Sequence, residues 1–141
     1  MGRLIYLLDT NSISEPIKEI PNQAVVDKIY LYSKNIAIAS ITVYEMMRGA
    51  YLLPESKKRT KILDYNNTVL TQFSTLSYTK EAAQWHSRES ARLQRIGKSA
   101  PFIDSQIAAI AKVNNLILVT RNTADFENFT DIQLENWFIP N

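Results

Sequence analysis

Four acidic residues follow buried apolar runs or sit inside apolar helices, where a merely solvated carboxylate is not the obvious role. Asp9 ends the run Leu4-Ile5-Tyr6-Leu7-Leu8 and is followed by Thr10-Asn11. Glu45 lies among Ile41, Val43, Tyr44, Met46 and Met47, with Gly49 removing bulk one turn on. Asp104 is surrounded by Phe102, Ile103, Ile107, Ala108, Ala109 and Ile110, and Asp125 follows Leu116-Ile117-Leu118-Val119 by way of Thr120-Arg121-Asn122. Each acid also has a purely structural reading: Asp9 as a helix cap, Glu45 as a partner of Arg48, Asp104 as a charge at a helix N-terminus, Asp125 as the start of a turn. If the four converge, they cannot all ionise without a compensating charge, because like charges a few ångströms apart push at least one pKa up. A hard divalent cation, Mg²⁺ or Mn²⁺, takes oxygen ligands and removes that conflict. Held so, it can activate water and stabilise the oxygens of an in-line displacement. A carboxylate cluster of this kind points to metal-assisted phosphodiester hydrolysis.

The elements that must position these acids are strands alternating with helices. Five apolar residues without alternation, Leu4 to Leu8, read as a strand buried on both faces. In open α/β sheets ligands bind beyond the carboxyl ends of such strands, which is where Asp9 falls. The prolines at 16 and 21 make any helix after Asn11 short or interrupted. Asn22 caps a helix through Lys34, with Val25, Val26, Ile29 and Tyr30 or Tyr32 as its apolar stripe. Ile36–Ala39 is a short buried strand. A helix from Ser40 or Thr42 to Leu53 is stopped by Pro54, and another spans Glu55 to Phe73. Thr75–Ser77 is a brief strand, and Thr79 caps a helix to Ile96 that Gly97 ends. Ser99-Ala100-Pro101 leads into a helix over Phe102–Val113, Leu116–Val119 is a strand, and a last weak strand lies near Ile132–Leu134. This alternation predicts an α/β fold with a parallel sheet and right-handed crossovers. With no linker, repeat or low-complexity tract, residues 1–141 read as a single domain.

Composition narrows the chemistry. An apolar fraction of 45% and a charged fraction of 21% are those of an ordinary globular protein. There is no cysteine and one histidine, His86, so thiolate nucleophiles, disulfides and multi-histidine zinc sites are excluded. The apolar run near the N-terminus is too short for a signal peptide or a membrane span, and the expected location is the cytoplasm, with no membrane association. His86 and Trp85 read as packing residues. The formal charge of +2 does not by itself announce a nucleic-acid binder.

Taken in order, Asp9-Thr10-Asn11 after a strand, Ser40-x4-Glu45-x3-Gly49 on a helix, Asp104-x2-Ile107-Ala108-x2-Ala111 on a later helix, and Thr120-Arg121-Asn122-x2-Asp125-Phe126 after the last strong strand resemble the PIN-domain ribonucleases. Within them the chain is similar to the VapC-type toxins of type II toxin–antitoxin modules. The resemblance covers essentially the whole chain. It implies a three-layer α/β/α fold with a central, mainly parallel sheet. It also implies a Mg²⁺- or Mn²⁺-dependent endoribonuclease whose catalytic and metal-holding residues are Asp9, Glu45, Asp104 and Asp125. Asn11, Thr120 and Asn122 are implied as supporting hydrogen-bonders. The implied substrates are structured RNAs, tRNA above all, and the implied partners are a second copy of the chain and a cognate antitoxin, in a dimer or a higher assembly.

Two basic features are candidates for holding RNA. Arg88, Arg92 and Arg95 fall at i, i+4 and i+7 on one helix face, with Lys98 beyond, and Lys57, Lys58, Arg59 and Lys61 cluster on the preceding helix. Arg121, beside the proposed pocket, can meet RNA or pair with a carboxylate. The apolar residues Tyr44, Met46, Met47, Tyr51 and Leu52 suit a dimer or antitoxin interface as well as a core. Haloacid-dehalogenase-like phosphatases share a strand ending in Asp, but they call for a second acid where this chain has Asn11. A receiver-like domain calls for an early acidic pair and a late lysine. The remaining alternative is a non-catalytic PIN-like module that binds RNA or protein, against which the intact acids argue.

Overall fold

The unalternating strands are covered on both faces, and the assignment of side chains to each face is readable residue by residue. In the computed structural model, which describes residues 2–139, Leu7 of strand β1 (Tyr6–Leu8) points to one core together with Ala37 and Ala39 of β2 (Ile36–Ala39) and Leu118 of β4 (Ile117–Val119). Tyr6, Leu8, Ile36, Ile38 and Val119 point to the other. The first core is completed by α5 (Lys80–Arg95) and α6 (Phe102–Val113), through Ala82, Leu93 and the run Ile107 to Ala111. The second is completed by Val25 of α2 (Gln23–Leu31), Met46 of α3 (Ser40–Tyr51) and Val69 of α4 (Lys57–Gln72). Strands that feed two apolar cores at once must be uninterruptedly apolar, and three layers, α/β/α, follow.

The sheet runs β3-β2-β1-β4-β5, with β3 (Ser74–Leu76) and β5 (Leu134–Glu135) at its edges. The sequence leads to a mainly parallel sheet; among the described strands every pair is parallel. Leu8 of the central strand sits opposite Ile38 and Val119, so β1, β2 and β4 end at one level. Asp9, the start of α3 and Thr120 therefore emerge side by side.

The strands are shorter than their apolar runs, although pairing continues past β1, with Ile117 N–H donating to the carbonyl of Ile5 at 2.8 Å. The helix expected to reach Lys34 stops at Leu31, because a tight 3₁₀ turn, Ser33–Asn35, is needed to deliver the chain into β2 at Ile36. The last strand lies slightly later than Ile132–Leu134, at Leu134–Glu135, where Gln133 and Glu135 accept from the N–H groups of Leu118 and Thr120. The proline-bearing stretch holds the single turn α1 (Thr10–Ile13) and a 3₁₀ turn, Glu15–Ile17. Trp137, which the pattern of the sequence did not mark as core, is fully buried and sits 5.0 Å from the ring of Tyr6 and 5.8 Å from that of Tyr32. Among the described residues no helix is long and apolar enough to cross a membrane.

Candidate active site

At the carboxyl ends of β1 and β4 lies a cavity of about 140 Å³ lined by Asp9, Thr10, Asn11, Glu45, Asp104, Ile107, Thr120, Asn122, Asp125 and Phe126. The four acids separated widely in sequence are brought together, as are Asn11, Thr120 and Asn122. A larger open hollow of about 580 Å³ at the start of α4 is lined by Ser56, Lys57, Thr60, Lys61 and Asp64. It holds one carboxylate and has nothing of this concentration.

Each acid is presented by a different device. Asp9 does both things its position allows: Oδ1 accepts the Ser12 N–H at 2.9 Å and caps α1, while the side chain, nearly buried, lines the cavity. Glu45 projects from the first half of α3, and its Oε1 accepts the hydroxyl of Thr10 at 2.5 Å. The pairing with Arg48 that its spacing allows is not formed. Asp104 lies in the first turn of α6, where the helix dipole favours an acid. Asp125 ends a 3₁₀ turn, Thr123–Asp125, beyond β4. Asn122 starts that turn, its carbonyl accepting the Asp125 N–H at 3.0 Å while its own N–H donates to Thr120 Oγ1 at 3.1 Å.

The electrostatics are those of crowded acids. Burial, followed by the charges of Asp125, Asp9 and Glu45, holds the Asp104 carboxyl above its ordinary range. The polar lining is all oxygen and amide, with no histidine, cysteine, lysine or arginine. A hard divalent cation fits that donor set, and it would relieve the repulsion that raises Asp104. Among the described residues no three acids stand close enough together to form a metal site by themselves.

Thr10, Ile107 and Phe126 are the cavity residues that reading the sequence did not assign. Thr10 was visible as the middle of Asp9-Thr10-Asn11, but a threonine there also reads as an ordinary first-turn residue. Ile107 and Phe126 form the apolar wall.

The basic residues divide. Arg88 and Arg95 stand exposed on α5. Arg92, expected on the same RNA-facing stripe, is instead committed internally: Nε and Nη2 donate to the two carboxylate oxygens of Glu89 at 3.0 and 2.9 Å, and Nη2 also donates to the carbonyl of Asn128 at 2.6 Å. Helical spacing could not show that a loop packs against that face. Lys98 likewise donates to Asn128 Oδ1 at 3.1 Å. Arg121 rests over the ring of Phe138, 4.9 Å from its centre, outside the cavity lining. His86 is buried, with Nδ1 2.7 Å from the Tyr78 hydroxyl and burial holding its pKa below the ordinary value, and Trp85 stacks 5.7 Å from Phe129. Both are packing residues.

The PIN domain family model matches residues 6–131. The chain is 32% identical over 127 residues to the plasmid stability protein StbB of Pseudomonas syringae pv. tomato, covering 87% of this chain and 91% of that protein. It is 28% identical over 134 residues to the tRNA(fMet)-specific endonuclease VapC of Shigella flexneri, covering 95% and 98%. Of solved structures, FitAB bound to the IR36 DNA fragment superposes with a TM-score of 0.89 at 30% identity, covering 97% of this chain and 98% of that one. The matched stretch opens with β1, just ahead of Asp9, and runs past Asp125, so it takes in the whole acidic cavity: the chain belongs to the PIN domain family.

Proposed function

We propose that the chain is a divalent-cation-dependent endoribonuclease, the toxin of a type II toxin–antitoxin module, which cuts structured RNA, tRNA above all, and so arrests translation. The single observation that carries this reading is the gathering of Asp9, Glu45, Asp104 and Asp125 around one cavity at the carboxyl end of a parallel sheet. Relatives named as a tRNA(fMet)-specific endonuclease and as a toxin, and a structural neighbour that is a complex, FitAB, support it.

In this reading the four carboxylates would hold Mg²⁺ or Mn²⁺, which would supply charge stabilisation at the phosphoryl oxygens and lower the pKa of a water. The chain's own residues do the rest. Thr10 engages one oxygen of Glu45 and fixes the direction of its carboxylate. Thr120 holds the backbone of Asn122 and so shapes the turn that carries Asp125. Ile107 and Phe126 keep water from one side of the cavity, and Asn11, exposed at its rim, is a hydrogen-bond donor for the sugar–phosphate chain. Arg88, Arg95 and Arg121 provide positive charge for phosphates. The tyrosines at 44 and 51 and Leu52, each more than half exposed on or just past α3, give an apolar face for a second copy or for the antitoxin. An RNA target makes the cytoplasm the place of action.

Sequencing of RNA ends after induction in cells tests this. New, discrete ends are expected with the wild-type chain and none with Asp104→Asn. Toxicity with unchanged RNA ends would overturn the reading.

A further inference from the structure

The connection between parallel strands is commonly filled by a helix. Between β4 and β5 it is not: from Thr120 to Gln133 the chain makes one 3₁₀ turn, Thr123–Asp125, and then descends as an irregular strap. That turn carries Asp125. Beyond it the strap has little internal support, with Phe129 N–H bonded to the carbonyl of Phe126 at 3.1 Å and Asp131 in the left-handed region at φ 55°.

Phe126 and Phe129 anchor the strap in the core, Lys98 and Lys112 donate to Asn128 Oδ1 and the Asp131 carbonyl, and an ion pair on α5 holds the backbone between them. Glu89, 6% exposed, accepts the backbone N–H of Thr130 at 2.6 Å and its hydroxyl at 3.2 Å. Arg92 grips both oxygens of Glu89 and donates to the Asn128 carbonyl. Two side chains of one helix thus replace the hydrogen bonds a crossover helix would have made for itself. From Thr130 the contact passes to Phe129, whose ring lies 6.3 Å from that of Phe126, and Phe126 lines the acid cavity next to Asp125. An ion pair whose arginine side chain is 38% exposed contributes little stability by its charge alone. Its directional bonds do something apolar packing cannot, which is to fix where an irregular backbone lies.

We propose that Glu89, oriented by Arg92, is a positioning residue that sets the place of Asp125 through the β4–β5 strap, so that cation binding in the cavity depends on an ion pair outside it. This rests on the nuclease reading above and deepens it.

The test uses the whole chain with Glu89→Gln, the milder Thr130→Val, and Val25→Ala as a control destabilised in the opposite core. Mn²⁺ affinity is measured by calorimetry and RNA cleavage by initial rates, at a temperature where circular dichroism shows all four proteins folded. Glu89→Gln is expected to weaken Mn²⁺ binding and lower kcat by about tenfold or more, and Thr130→Val by about threefold, with KM for RNA unchanged. Val25→Ala is expected to change neither. Glu89→Gln with Mn²⁺ affinity within about twofold of wild type, or Val25→Ala losing affinity equally, overturns the proposal. If Glu89→Gln does not fold, Thr130→Val decides by the same measurements. If the wild type neither binds Mn²⁺ nor cuts RNA, the nuclease reading falls. Amide exchange over residues 122–131, expected to be about tenfold faster in Glu89→Gln than in Val25→Ala, then decides whether the strap is held as described.

Discussion

The hydroxyl of Thr10 donates to Oε1 of Glu45 at 2.5 Å, joining residues 35 positions apart. It links the turn after the central strand to the third helix, inside the cavity. Thr10→Val keeps the shape and removes the donor, so Glu45 loses its orientation while the core is untouched. RNA cleavage should fall by roughly 10- to 100-fold, with stability lowered by about 1 kcal/mol or less. Thr10→Ser should restore most of the rate. Initial rates and thermal melts of the three proteins check this.

Asp104 should trade stability for function. Its folded-state pKa is raised, first by burial and then by Asp125, Asp9 and Glu45. The fold therefore favours the protonated form. That contribution is full below the unfolded value, near 3.8, and is lost as pH rises through the folded one. Asp104→Asn, a stand-in for the protonated acid, should melt higher than wild type at pH 7.5 without added cation, by about 3 °C, with the gain fading toward pH 3.5. A wild type as stable as the variant across this range would show that the acids do not repel.

The same repulsion makes the cation a stabiliser. Adding Mn²⁺ at about 100 times its dissociation constant should raise wild-type stability by about 2.7 kcal/mol, reversibly with chelator. Asp104→Asn should gain far less. Differential scanning calorimetry with and without Mn²⁺ reads both.

Glu89 works in the opposite direction. Arg92 first, then the N–H and hydroxyl of Thr130, overcome burial and pull its pKa down to about 2. Its contribution is present above the unfolded value, near 4.5, and is lost as pH falls toward 2. Glu89→Gln should cost on the order of 2 kcal/mol at pH 7, and markedly less at pH 2.5. Urea melts at several pH values measure the convergence.

Trp137→Ala should be among the most damaging changes in the chain. The ring is fully buried against Tyr6 and Tyr32, and emptying such a site costs about 3 to 5 kcal/mol. Loss of cooperative melting, or a drop in Tm of at least 10 °C, is expected.

Asp9, Glu45 and Asp104 were legible in the sequence because each broke an apolar pattern that the sheet and helices required, and Asp125 because it follows a buried strand. The three layers were legible for the same reason: Leu4 to Leu8 and Leu116 to Val119 offer no polar face to water. What escaped notice depends on chain segments meeting. Nothing about Thr10 distinguishes a carboxylate's partner from a first-turn residue until α3 is placed beside it. Arg92 looked like part of a charged stripe, and only the packing of Asn128 and Thr130 against α5 turns it inward. A signal was nonetheless present, because Glu89 and Arg92 are spaced i, i+3 on a helix otherwise rich in exposed charge. Trp137 follows a stretch with neither helical nor strand periodicity, so no pattern marked it as core.

Trp137 also has a bearing on how such a chain is made. It leaves the ribosome after all four carboxylates, yet it closes the face of the sheet on which Tyr6 lies, only a few residues ahead of Asp9. A nascent chain thus displays every acidic side chain before the support beneath the first of them exists. The acid cavity therefore gains its floor only once residue 137 has been made.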